Sequence, residues 1–150
     1  MNFQKVLKNQ MIQAGIRLFL LLFISLFSTN SSLQAATVIK NLRVEYLKNP
    51  VGIDVQNPQF SWVIVSDEVG KKQSVFEITV SNENGTVIWS SGKVHSDKSV
   101  GIKYDGAPLS PSTRYMWKVD VWDENNAPIS SAENAYFETG LLSSGWSDAK

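Results

Sequence analysis

From residue 37 onward the hydrophobic residues of this chain recur at every second position. The longest such run is Tyr115–Asp123, where Tyr115, Trp117, Val119 and Val121 share one phase and Lys118 and Asp120 fall in the other. A period of two predicts a strand with one buried and one wet face. Leu42, Val44 and Tyr46 share a phase in 41–47, Phe60, Trp62 and Ile64 in 59–65, and Phe76, Ile78 and Val80 in 73–81. Shorter strands are expected over 86–90, 99–104 and 133–139. Between them lie Asn49-Pro50, Asn57-Pro58, Gly70, Asn84-Gly85, Asp105-Gly106 and Glu124–Pro128, residues that break regular structure or supply turns. Seven short strands at even spacing with no helical period predict an all-β fold, an antiparallel sandwich over residues 37–140.

The phase also sorts the aromatics. Trp62 and Trp117 point inward and are expected in the core, and Trp89, which shares its phase with Val87, is expected there too. Trp122 falls in the outward phase beside Lys118 and Asp120, and an exposed Trp among charges marks an interface or a ligand platform. Trp146, in the tail 141–150 with Leu141 and Leu142, is a second candidate of this kind. For both, packing against a following domain is favoured over stacking on sugar. The tail reads as a linker and the start of a missing next domain, with a tail folded back on the sandwich as the alternative.

Before Tyr115 stands Leu109-Ser110-Pro111-Ser112-Thr113, a turn, because Pro111 cannot donate to a sheet ladder and the hydroxyl residues bond locally to backbone. A Tyr entering a strand from such a turn buries its ring and returns its hydroxyl to backbone a few residues upstream, the tyrosine corner of Greek-key sandwiches.

The first 36 residues are of another kind. Lys5, Lys8 and Arg17 precede the apolar run Leu18–Phe27, and polar residues then lead to Ala35-Ala36. That order is a secretory signal peptide, with an uncleaved anchor as the alternative, although the run falls short of the ~20 residues a membrane span needs. The expected location is exported, periplasmic or secreted. Cleavage removes three of 14 basic and none of 14 acidic residues, leaving 11 against 14 and a net charge of −3. Such a chain has no basic stripe for nucleic acid and no polybasic membrane patch. It has no Cys, so the domain must stabilise itself by its core alone.

No catalytic constellation is visible. Asp67-Glu68 and Asp123-Glu124 are adjacent carboxylates in turns, where they are expected to be solvated, with nothing to separate their acidities. His95 is the only His and, with no Cys, offers no set of metal ligands; it is expected on the surface. No cofactor or metal is expected. Asn84-Gly85-Thr86 fits a glycosylation acceptor and equally the hairpin turn.

Taken together, several runs resemble a known family. Leu-x-Pro-x-Thr-x-Tyr over 109–115 resembles the corner of fibronectin type III domains, within the immunoglobulin-like class of sandwiches. Leu42–Asp54, Pro58–Trp62, Trp89–Val94, Tyr115–Asp123, Phe137–Leu142 and Trp146–Lys150 together resemble the opening of bacterial α-L-rhamnosidases of glycoside hydrolase family 78, over about residues 40–150. The resemblance implies a non-catalytic accessory sandwich, with inverting catalysis in a distant helical barrel that has no counterpart here. Its expected partners are the following domains of the same polypeptide and, at further remove, rhamnose-containing glycans. A carbohydrate-binding or surface adhesion module without enzymatic activity remains the alternative.

Overall fold

The computed structural model describes residues 37–131 and 134–142, and Trp146 lies outside them. Among the described residues there are nine strands: β1 Val38–Val44, β2 Gln59–Val65, β3 Gln73–Asn82, β4 Val87–Ser90, β5 Val94–His95, β6 Ile102–Lys103, β7 Arg114–Asp123, β8 Pro128–Ser131 and β9 Ala135–Glu138. All seven expected strands are there. The two additions, β5 and β8, span two and four residues, too short to show a period.

β3 and β7 form the spine, paired antiparallel from Gln73↔Asp123 to Asn82↔Tyr115. β4 and β5 share the outer edge of β3, while β8 and β9 share the far edge of β7. β1, β2 and β6 make the facing layer. β8 joins the layers on one side, because it pairs antiparallel with β7 and parallel with β1. The other side, between β4 and β6, stays open.

The core is the inward phase read from the sequence. Phe60, Trp62, Phe76, Ile78, Val80, Trp117, Val119, Val121 and Phe137 are all buried. Phe60 meets Trp117 at 4.7 Å between ring centroids, and Trp62 meets Phe76 edge-on at 5.2 Å. The Trp62 indole N–H donates to Gln73 Oε1 at 2.9 Å, and the Gln73 amide donates to the Lys98 carbonyl at 2.6 Å, so these buried polar groups are paired, whereas the buried Trp117 indole N–H has no partner among the described residues.

Two expectations about strands fail. β1 ends at Val44, and Tyr46 is 60% exposed instead of facing inward. The alternation of Leu42, Val44 and Tyr46 is interrupted because Glu45 and Tyr46 both take positive φ, 49° and 64°, and reverse the chain. Val44 and Leu47 exchange both backbone hydrogen bonds at 2.9 Å across this two-residue turn. The strand expected over 99–104 shrinks to Ile102–Lys103, with Gly101 left-handed at φ 72° just before it.

Candidate functional site

Two places on the sandwich are candidate sites: the corner where β9 runs on to Leu142, and the groove on its open side. At the corner, the Ser110 backbone N–H donates to the Tyr115 hydroxyl at 2.8 Å. Tyr115 itself lies buried against Phe137, 5.3 Å away. Thr139, also buried, ties the same corner to β9: its hydroxyl donates to the Ser110 carbonyl at 2.7 Å and accepts the Thr113 N–H at 3.0 Å. Ser112 N–H then donates to the Gly140 carbonyl at 2.8 Å.

The loop after β1 holds the other flank of this exit. Tyr136 N–H donates to Asn49 Oδ1, Glu138 N–H to the Pro50 carbonyl, Gly140 N–H to the Ile53 carbonyl and Leu142 N–H to Asp54 Oδ1. Gly140 fits because it lacks a side chain. A Cβ there would lie 2.5 Å from Asp54 Oδ1 and 3.1 Å from the Gly52 carbonyl oxygen. Leu142 is buried, so the exit is anchored by an apolar side chain as well as by backbone bonds.

The groove lies between β4–β5 and β6, about 610 Å³, with Trp89, Val94 and Ile102 in its wall and Lys98, Lys103 and Asp105 at its rim. Trp89 is half-buried: it stacks on Phe60 at 6.2 Å and tilts against Tyr104 at 5.0 Å. The Tyr104 hydroxyl donates to the Ala107 carbonyl at 2.8 Å, and burial raises its pKa above the ordinary phenol value. One ring presented at its edge can stack on one face of a planar or sugar-like group. Phe76, the other ring that lines the groove, is buried.

The sequence-derived candidates distribute as follows. Trp62 and Trp117 are core. Trp122 is half-buried, with the Lys93 ammonium 4.2 Å from its ring centroid. His95 is exposed, on β5. Asp123 departs from expectation most. It is only 2% exposed, and it binds Lys71 at 2.8 Å while accepting N–H bonds from Asn125 and Ala127. The bond from Lys71 is the main cause that holds its pKa below the ordinary carboxylate value, and the same bond raises that of Lys71. A carboxylate so paired is a fixed anion, not a proton donor. Among the described residues no group of three His, Asp or Glu side chains could hold a metal ion.

The sequence does not mark the loop 45–55 as a feature of the site, because its Tyr46 extends an alternating pattern and its Pro50 and Gly52 read only as breakers. The adjacency of Glu45 and Tyr46 in left-handed backbone has no signature in residue type.

Residues 39–143 match the model of the Rha78A-like N-terminal immunoglobulin domain. The chain belongs to this family. Among curated relatives of the Rha78A-like domain, an α-L-rhamnosidase of Formosa agariphila is 37% identical over 144 residues, covering 89% of this chain and 15% of the relative. An α-L-rhamnosidase of Streptomyces avermitilis is 39% identical over 109 residues, covering 69% and 11%. The crystal structure of the Streptomyces avermitilis α-L-rhamnosidase complexed with L-rhamnose superposes with a TM-score of 0.68 at 38% identity, over 75% of this chain and 11% of that one. That of Dictyoglumus thermophilum α-L-rhamnosidase gives 0.63 at 36% identity, over 70% and 13%. The chain thus spans 11–15% of the length of these curated relatives.

Proposed function

We propose that this chain is the N-terminal accessory domain of an exported α-L-rhamnosidase acting on rhamnose-containing glycans, and that its work is to brace the domains that follow it. Residues 1–36 are its signal peptide and 141–150 lead into the next domain. The observation that carries the reading is the exit corner. Thr139, Gly140 and Leu142 are bonded on one side to the tyrosine corner and on the other to Ile53 and Asp54, so the backbone is held at a fixed point up to Leu142. A freely tethered module needs no such anchorage.

A direct test fuses this chain, from Thr37, to the remainder of the Streptomyces avermitilis relative in place of that enzyme's own immunoglobulin domain. The fused enzyme is expected to melt higher than the enzyme lacking the domain, with kcat/KM on a small rhamnoside unchanged. Equal melting of the two would remove the bracing role. The second reading, a carbohydrate-binding module, is supported by the groove with Trp89 at its wall. Saturable binding of a rhamnose oligosaccharide to the isolated chain, abolished by Trp89→Ala, would favour it instead.

A further inference from the structure

We infer that the loop from Glu45 to Val55 is the docking surface for the following domain of the same polypeptide, with Tyr46, Leu47, Val51 and Leu141 as its apolar contacts. The inference rests on the accessory-domain reading and assigns that reading a surface. These four side chains are 60%, 57%, 64% and 40% exposed. They belong to one structural unit, because the loop runs along β9 to the exit through Asn49, Pro50, Ile53 and Asp54. Polypeptide leaving Leu142 therefore starts beside this loop, and in the relatives most of the polypeptide lies outside the domain.

The backbone is the second observation. A two-residue hairpin turn with both central residues left-handed takes Asn-Gly without strain, whereas here Glu and Tyr occupy those positions. L-residues avoid that conformation, and the turn is held by bonds from elsewhere. Glu45 Oε1 accepts the Gln59 N–H at 2.7 Å, and the Arg43 guanidinium donates to the Tyr46 carbonyl at 2.9 Å. The result is a phenol ring held out in solvent, where it gains little packing within the domain. Strain maintained to present an exposed aromatic side chain, next to the point where more polypeptide continues, identifies a contact made outside the domain.

The test compares Tyr46→Gly and Leu47→Ser in the isolated chain and in the fused enzyme, with Val63→Ser on the outer face of β2 as control. In the isolated chain Tyr46→Gly is expected to leave the melting midpoint unchanged or raise it, because glycine suits left-handed backbone. In the fused enzyme both loop variants lower the midpoint of the whole, while Val63→Ser shifts the two proteins alike. Loop variants that act equally in both proteins, or in neither, overturn the surface and leave the bracing role standing. If the unmodified fusion melts no higher than the enzyme lacking the domain, the accessory reading falls and the surface falls with it.

Discussion

Two hairpins of this domain are built on one plan, and a third departs from it. In the turns after β3 and β7, Asn82 and Asp123 occupy the same place. Each donates its N–H to the carbonyl four residues on, accepts the N–H three residues on, and uses its side-chain Oδ1 to accept the N–H of Thr86 or Ala127. The left-handed position falls to Gly85 in one and Asn126 in the other, at φ 86° and 59°. Both turns take their cap and their left-handed residue from their own sequence, although Asp123 is also bound by Lys71 from outside its turn. The turn at Glu45–Tyr46 has neither an Asx cap nor a residue suited to positive φ, and it is held by Gln59 and Arg43 from outside. A turn that satisfies itself is structural, and one held in place by its neighbours against its own preference points to a use.

The comparison is most sharply tested at Glu45. Glu45→Ala removes the acceptor of the Gln59 N–H and should cost about 1.5–3 kcal/mol, since hydrogen bonds to a charged partner lie in that range. An unchanged urea midpoint would mean that the turn stands without its external support. Gly85→Val places a β-branched side chain at φ 86° and should cost about 1–2 kcal/mol. A null result there would show that this turn, too, is held from outside.

Asp123→Asn separates the two self-contained turns by pH. The lowered pKa of Asp123 contributes stability that is present above the ordinary carboxylate value and lost as pH falls through the folded-state value. The raised pKa of Lys71 contributes below the ordinary amine value and is lost as pH rises through its own folded value. The variant should therefore be less stable near neutrality and flatter toward acid, because an amide at 123 copies Asn82. If its acid limb keeps the parent slope, another group sets the acid transition. The smallest effect is expected from Tyr46→Gly in the isolated domain, a gain of at most about 1 kcal/mol from relieved strain, checked by the same denaturation. A loss of that size would show the turn to be unstrained.

What was legible in the sequence follows the same division. The β3–β4 hairpin could be read because Asn84-Gly85 is turn chemistry, and the spine could be read because Phe76, Ile78 and Val80 alternate on β3 as Val121, Val119 and Trp117, their partners, do on β7. Tyr115 was legible from its turn alone, and its hydroxyl does take the Ser110 N–H. Tyr46 was misplaced because its type and phase fit a strand, while the reversal at Glu45 depends on Gln59, 14 residues away. Burial of Asp123 was hidden for the same reason, since nothing local to 123 announces Lys71. β8 was missed because its four residues borrow their pairing from β1 and β7.

The measurement that tests the account most directly is hydroxyl-radical footprinting of the isolated chain against the chain fused to the remainder of the Streptomyces relative. Protection of Tyr46, Leu47, Val51 and Leu141 on fusion, with Trp89 and Ile102 in the groove unchanged, is the predicted result. Protection of the groove with Tyr46 and Leu47 equally reactive in both would contradict it, and would place the following domain on the open side of the sandwich.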